Sequence, residues 1–263
     1  MQLLEALNID KELVRKRFRS AAQTYDVHAP VQQEMAKALV ELARPFVSEK
    51  VNRVLEIGCG TGLLTRQLLN HYAIGEFFVN DLVPEAADNI AAIVSDYKVP
   101  RMQFMEGDIE IIDLPQQVDV IWSGATIQWV DDLEGFFNRA ARALNSDGHL
   151  VLSSFGRDNY KEIKAITGFG IEYKSMEAVV ESAAQHYEPV AMKAWTQAMY
   201  FSTPCEVLKH MRYTGVNGVA STSWTRRDVA AFESSYQTFR QSEGYPLTYH
   251  PYLLVLKKRS LIR

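Results

Sequence analysis

Cysteine and clustered metal ligands are scarce in this chain. Its 263 residues include two cysteines, Cys59 and Cys205, and six histidines that are scattered along the sequence. Two distant cysteines exclude a disulfide framework, and the histidines lack the close spacing of a metal site. We therefore predict no bound metal.

Long apolar runs and a strong charge imbalance are also missing. No stretch approaches the roughly 18 consecutive apolar residues that are typical of a membrane span. The first residues, 1–5, lack the basic start and apolar run of a signal peptide. A formal net charge of −4 gives no reason to expect nucleic acid. We expect a cytoplasmic protein with a full hydrophobic core and no membrane partner.

Three glycines at alternate positions form the most informative feature. Gly58, Gly60 and Gly62 follow an apolar strand and precede a helix. Glycine permits positive φ and lets backbone amides approach a ligand closely. The G-x-G-x-G spacing differs from the G-x-G-x-x-G of dinucleotide folds, which disfavours an NAD-dependent reductase. Glu56, just before the turn, suits a ligand that carries positive charge.

Two further acidic residues follow the next two predicted strands. Asp81 ends the second strand and Asp108 follows the third. The carboxyl ends of parallel strands meet at one edge of a sheet, so these acids are predicted to lie beside the glycine turn. An acid after the second strand can bind both hydroxyls of a ribose. The pattern predicts a nucleoside-like cofactor, whereas a lone glycine triplet could be only a structural turn.

Alternating strands and helices predict an α/β fold with a mostly parallel sheet wrapped by helices on both faces. We expect a single domain, 1–263, in four parts. These are an N-terminal helix pair over 10–45, a cofactor-binding core over 51–156, a helical cap over 157–245 and a final strand over 246–263. Core strands are predicted near 52–57, 76–81, 102–106, 118–123 and 148–155, with helices near 62–71, 84–95 and 132–144. Within the cap, helices are predicted near 159–166, 175–186, 204–214 and 226–241, with one strand over 190–200.

The E-x-G-x-G-x-G pattern at Glu56–Gly62 resembles motif I of the class I S-adenosylmethionine-dependent methyltransferases. The string F-x-x-A-A-x-x-Y-D-x-H-A-x-x-Q over 18–32 resembles the malonyl-acyl-carrier-protein O-methyltransferases of biotin synthesis. That resemblance continues through 127–129, 154–156 and 208–217 and covers nearly the whole chain. One departure is Gly124, which follows Ser123 where the family usually has asparagine.

The resemblance implies S-adenosyl-L-methionine as cofactor and a malonyl thioester, on carrier protein or coenzyme A, as substrate. It also implies that the methyl ester product serves as a primer for biotin assembly. Its implied cofactor contacts are Glu56, Gly58, Cys59, Gly60, Gly62, Asp81, Leu82, Asp108, Ile109 and Ser123. Tyr25 is expected to close the pocket over the methyl donor, and Trp129 to form a wall of the site. No base is needed, because a carboxylate is already ionised at neutral pH.

A malonyl carboxylate needs a partner, and arginine offers two parallel hydrogen bonds. Arg212, beside the apolar stripe of its helix, and Arg157, after the fifth strand, are the candidates. An acidic carrier protein needs a basic surface. We expect one on the first helix, at Lys11, Arg15, Lys16, Arg17 and Arg19.

Two alternatives stay open on sequence grounds. One is a carboxyl methyltransferase of a free small acid, which needs neither a carrier protein nor a basic surface. The other is a cofactor-binding module without catalysis, which the complete set of acids and glycines and the predicted cap disfavour.

Overall fold

The computed structural model describes residues 10–168, 170–215 and 224–260. The strands within those ranges are β1 Lys50–Ile57, β2 Ala73–Asp81, β3 Arg101–Glu106, β4 Val118–Gly124, β5 Leu144–Phe155, β6 Tyr187–Ala194, β7 Gln197–Phe201, β8 Tyr245–Tyr249 and β9 Pro251–Lys258. The α-helices are α1 Lys11–His28, α2 Pro30–Ala43, α3 Leu63–His71, α4 Ala86–Ser95, α5 Leu133–Ala143, α6 Lys161–Thr167, α7 Met176–Ala183, α8 Pro204–Tyr213 and α9 Arg226–Tyr236. Short 3₁₀ turns occupy Ile127–Trp129 and Gln237–Phe239.

A seven-stranded sheet in the order β3-β2-β1-β4-β5-β9-β6 forms the centre of the fold. The first five strands are parallel, and β9 lies antiparallel between β5 and β6. The predicted α/β class is therefore confirmed. Because β1, β2, β3 and β4 run in one direction, the segments that follow them meet at the same edge.

Both faces of the sheet are buried, as expected for parallel strands. Alternate residues point to opposite faces. Val54 and Trp122 pack with apolar residues of α2, α3 and α4. Leu55 and Ile121 pack on the other face with residues of α5 and α7. The sheet is thus a rigid support for whatever binds at its edge.

Local chemistry explains where several elements begin. Asp10 caps α1 by accepting a hydrogen bond from the Leu13 N–H at 3.0 Å. Thr225 and Asp228 form a reciprocal capping box at α9. Pro251 is the first residue of β9, where its missing N–H is tolerated.

The run 190–200 is not one strand, as predicted from sequence, but parts of two. β6 pairs with β9 in the large sheet, whereas β7 pairs with β8 in a separate two-stranded sheet. The chain changes from one sheet to the other near Trp195, whose backbone N–H donates to the Pro251 carbonyl at 3.1 Å. The predicted cap region therefore also supplies an edge strand, because β9 offers β6 an unpaired row of backbone groups.

Among the described residues, no helix is long and apolar enough to cross a membrane.

Candidate active site

A cavity of about 380 Å³ lies at the carboxyl edge of the sheet. Its wall includes the glycine turn after β1, Asp81 at the end of β2 and Asp108 after β3. The helices α1 and α2 cover it, and contribute Tyr25 and Gln32. The fold thus brings together residues that are far apart in sequence.

The surroundings of two glycines in the turn differ. Gly58 has a φ of +68°, and a Cβ there would lie 2.2 Å from the Thr126 Oγ1. Gly60 has a φ of +53°, but no atom lies within 4 Å of its Cβ position. Gly58 is therefore required by packing, whereas Gly60 leaves open space beside a backbone amide.

Asp81 connects the turn to the second strand. Its Oδ2 accepts a hydrogen bond from the Gly60 N–H at 2.7 Å, and its Oδ1 accepts one from the Val83 N–H at 2.7 Å. Burial raises the pKa of Asp81, which is 7% exposed. Burial, with Asp81 next, also raises the pKa of the neighbouring Cys59 thiol, so this cysteine is not a reactive thiolate. The carboxylate is fixed before any ligand arrives.

Three predicted cofactor contacts, Glu56, Gly62 and Ser123, do not line the cavity. The Glu56 side chain is 1% exposed and its Oε2 accepts a hydrogen bond from the Thr65 hydroxyl at 2.8 Å. Burial raises the pKa of Glu56 to about 8, so the carboxyl is protonated at neutral pH. Ser123 is fully buried in β4. Glu56 points to the face of the sheet that α3 covers, whereas Ser123, in register with Ile57, points to the opposite face.

The basic residues of α1 do not form the free surface that the sequence predicts. Lys11 Nζ lies 3.0 Å from Asp108 Oδ2 and also pairs with Glu110. Arg15 lies 3.6 Å from Glu106, and Arg19 lies 2.8 Å from Glu85. These three cations line the cavity and face acids at the end of β3, in the segment after it and before α4. Lys16 is exposed and Arg17 is half-buried.

Both candidate arginines for the malonyl carboxylate lie outside the cavity. Arg212 and Arg157 are exposed, and neither belongs to the cavity wall. The buried positions of α8 include Val207 and His210, so Arg212 is on the outer side of the helix. Arg157 follows β5 in a turn at the surface. Contact of either arginine with the substrate stays a prediction.

Aromatic side chains form one wall of the cavity. Phe18 lies between Tyr25 and Trp129, with ring centroids 6.3 and 5.6 Å away. Burial and the nearby Asp26 carboxylate raise the pKa of Tyr25, so its phenol is a protonated hydrogen-bond donor. Sequence analysis missed Gln32 and Ser153, which also line the cavity. The family-like string included Gln32, but spacing alone could not show which way it points.

A buried polar cluster joins the start of α6, the helix α8 and the end of β8. The His210 Nε2 hydrogen-bonds the Tyr249 hydroxyl, and the Tyr160 ring lies 5.0 Å from that of Tyr249. Burial, with His28 next, lowers the pKa of His210 to about 4, so the imidazole is neutral. Sequence analysis missed this cluster. Residues 216–217, part of a segment it singled out, lie outside the described residues.

Among the described residues, no group of three histidine, cysteine, aspartate or glutamate side chains could hold a metal ion.

Comparison with known sequences identifies the relatives of the chain. Residues 55–152 match the family described as "Methyltransferase domain". A malonyl-[acyl-carrier protein] O-methyltransferase of Calditerrivibrio nitroreducens is 37% identical over 93% of this chain and 96% of its own. The enzyme of that name from Chlorobium phaeovibrioides is 38% identical over 96% and 98%.

Solved structures share the fold at lower identity. The N-methyltransferase NodS of Bradyrhizobium japonicum, with S-adenosylhomocysteine bound, has a TM-score of 0.56 at 15% identity, covering 92% of this chain and 98% of its own. A phosphoethanolamine N-methyltransferase of Haemonchus contortus, also with S-adenosylhomocysteine, has a TM-score of 0.53 at 17% identity, covering 84% and 52%.

Proposed function

Because the chain belongs to the malonyl-[acyl-carrier protein] O-methyltransferase family, we propose that it transfers a methyl group from S-adenosyl-L-methionine to the free carboxylate of a malonyl thioester. The observation that carries this proposal is one cavity whose wall combines two kinds of group. Gly60, Asp81 and Asp108 contribute backbone and carboxyl groups at the sheet edge, and Phe18, Tyr25 and Trp129 contribute adjacent aromatic rings. The methyl ester product, which lacks the malonyl charge, suits a primer for biotin assembly.

The nucleoside end of the cavity fits the cofactor. Asp81 presents a fixed carboxylate to the ribose, and Asp108 with Ile109 lies where the adenine binds. The other proposed contacts of the wall are Gly58, Cys59, Gly60 and Leu82. Gly62, as N-cap of α3, and Glu56, through Thr65, support the turn from behind. The bound cofactor supplies an electrophilic methyl group on a sulfonium.

The acceptor needs no proton removed. A malonyl carboxylate is ionised at neutral pH, so its oxygen bonds the methyl carbon as the carbon–sulfur bond breaks. The protein accelerates this step by alignment and by excluding water. Tyr25 and Trp129 close the cavity on the acceptor side, within a single domain whose N-terminal helices form the cover.

The acceptor is linked to a carrier protein. We place carrier docking on the outer side of α1, at Lys16 with the exposed part of Arg19, because Lys11 and Arg15 already contact acids at the cavity. Surface charges attract an acidic partner and are screened by salt. Lys16→Glu should therefore raise the KM for malonyl-carrier protein and leave that for malonyl-coenzyme A unchanged. Equal effects on both substrates would remove α1 as the docking surface.

The test of the proposed function compares possible acceptors directly. The protein is incubated with labelled S-adenosylmethionine and with malonyl-carrier protein, malonyl-coenzyme A, succinyl-coenzyme A or free malonate. Mass spectrometry should find one added methyl group on the terminal carboxylate of the malonyl thioesters. Preferential methylation of free malonate would instead support a small-acid methyltransferase. Binding of S-adenosylhomocysteine without methylation of any acceptor would support a binding module.

A further inference from the structure

Two polar side chains of the cavity wall, Gln32 of α2 and Ser153 of β5, have no role in the site as described so far. Gln32 is 6% exposed and Ser153 is 1% exposed, so protein encloses both almost completely. The Oε1 of Gln32 has no hydrogen-bond partner among the described residues. A buried polar atom without a partner costs about 1–3 kcal/mol, so its presence in a cavity wall needs an explanation.

The Ser153 hydroxyl is fixed by one hydrogen bond that it accepts. Its Oγ lies 3.1 Å from the Ala125 nitrogen, and the same N–H donates to the Ser153 carbonyl at 3.0 Å. No residue that the structure describes accepts the hydroxyl proton. Ala125 also lines the cavity, and its φ of +48° is uncommon for a residue with a Cβ and typical of functional sites. Ser153 therefore offers a fixed oxygen with an unused proton.

Ser153 lies at the side of the cavity that is remote from the acidic residues. It shares a face of β5 with Val151, which packs in the same apolar cluster as residues of α2. The strand register places Ser153 and Asp81 at the same level of the sheet. Because neighbouring strands are about 4.8 Å apart and β5 is the third strand from β2, the two residues are about 14 Å apart.

Gln32 reaches the cavity from the helix above this part of the sheet. The helix α2 packs on β4, β5 and β9, and Gln32 lies in its first turn. If the nucleoside binds at Asp81 as proposed, the β5 side of the cavity is left for the acceptor.

We infer that Ser153 and Gln32 bind the acceptor, with the Ser153 hydroxyl and the Gln32 amide N–H groups donating hydrogen bonds to the oxygens of the malonyl group. This inference rests on the proposed function and names residues of the site that select the acceptor.

The chemistry of the two side chains suits a malonyl thioester. Its carboxylate and its thioester carbonyl offer acceptor oxygens and no donor, so it needs donors in the wall. A hydroxyl and an amide each donate single hydrogen bonds, which orient the carboxylate and leave a lone pair for the methyl carbon. The amide oxygen of Gln32 suits the positive sulfonium, because an amide dipole orients toward a nearby charge. An amide therefore fits between an anionic acceptor and a cationic methyl donor.

Each of the two residues has a neighbour of the same type that serves as a matched control. Ser154 is as deeply buried as Ser153 but points to the opposite face of β5. Gln33 follows Gln32 in α2 and is exposed. Both control residues lie outside the cavity wall. The experiment compares Ser153→Ala with Ser154→Ala, and Gln32→Met with Gln33→Met.

For each variant, methylation of malonyl-carrier protein gives kcat and KM, and calorimetry gives the Kd for S-adenosylhomocysteine. We expect kcat/KM to fall at least about 10-fold in Ser153→Ala and in Gln32→Met, the loss typical of a hydrogen bond to a charged group. Both controls should stay within about twofold of the wild type. The Kd should change less than about twofold in all four variants, because S-adenosylhomocysteine has neither the acceptor nor the sulfonium charge.

The outcomes separate the two proposals. If the wild type methylates no malonyl thioester, the proposed function fails. If the wild type is active and Ser153→Ala or Gln32→Met keeps its kcat/KM, this inference fails alone. An equal loss in the matched control also overturns it, because the loss then comes from packing. A parallel loss of S-adenosylhomocysteine binding overturns it as well, since the two residues then serve the cofactor. Either variant decides the question if the other does not fold.

Discussion

The buried Glu56 carboxyl predicts an unusual dependence of stability on pH. Its Oε2 has the Thr65 hydroxyl as a partner, while Oε1 is buried without one. The pKa is about 8 in the folded chain, against 4.5 for the ordinary group. Between these values the folded state holds a proton that the unfolded state has released. As far as Glu56 is concerned, the free energy of unfolding is therefore highest below pH 4.5. It falls as the pH rises and is lowest above pH 8.

The loss of stability is about 1.4 kcal/mol for each unit by which the pH exceeds the ordinary pKa of Glu56, until the pH approaches the pKa in the folded chain. The cost in free energy of unfolding is about 1.4 kcal/mol near pH 5.5 and about 4 kcal/mol near pH 8. Glu56→Gln cannot ionise and keeps an acceptor for Thr65. From pH 5.5 to pH 8, the free energy of unfolding of the variant should therefore rise by about 3 kcal/mol relative to that of the wild type. Its amide nitrogen, buried without a partner, costs about 1–3 kcal/mol at every pH.

Urea unfolding followed by circular dichroism at a series of pH values measures this difference. Glu34→Gln, at an exposed position of α2, is the control and should stay within about 0.5 kcal/mol of the wild type throughout. If Glu56→Gln and the wild type lose stability with the same slope, Glu56 is ionised in the folded protein. The account of a neutral carboxyl behind the turn would then be wrong.

Three further predictions concern the turn and the cluster. Asp81→Ala should weaken binding of S-adenosylhomocysteine by about 1–3 kcal/mol in calorimetry, because a charge-assisted pair of hydrogen bonds is lost; unchanged affinity would place the ribose elsewhere. Gly58→Ala should destabilise the protein by about 1–3 kcal/mol more than Gly60→Ala in thermal unfolding, since a Cβ meets Thr126 only at position 58. The pKa of His210 is lowered to about 4 in the folded chain, so between pH 6.5 and 4 only the unfolded chain protonates this imidazole. The free energy of unfolding of the wild type, measured with urea, should therefore fall by about 3 kcal/mol over that range, and that of His210→Phe should lack this fall.

The sequence predicted the cofactor edge of the fold well for a physical reason. Strand ends and glycine turns are local features, and a parallel sheet brings them together. The same local pattern placed Gly58, Asp81 and Asp108 beside one cavity. It could not show that Glu56 points behind the turn and is neutral, because the pKa depends on packing around the side chain.

The acceptor end depended on long-range contacts and was predicted less well. Apolar residues predicted that α8 buries Val207, Leu208 and Met211, with Arg212 at the border. The structure instead fully buries Val207 and His210, which turns Arg212 outward. A polar residue is buried here because Tyr249 supplies its partner from a distant strand. Likewise, the acids that pair with the α1 cations come from β3, from the segment after it and from the approach to α4.

The ion pairs of α1 have a kinetic consequence. Each of the pairs at Lys11, Arg15 and Arg19 is partly exposed, and pairs of this kind contribute about 0–1 kcal/mol each. Together they contribute about 0–3 kcal/mol to holding α1 over the cavity. If the cofactor occupies this cavity as proposed, spent thioether and fresh sulfonium exchange beside α1 in every cycle. Because salt screens partly exposed ion pairs, this contribution should weaken, and exchange should become faster, as the ionic strength rises.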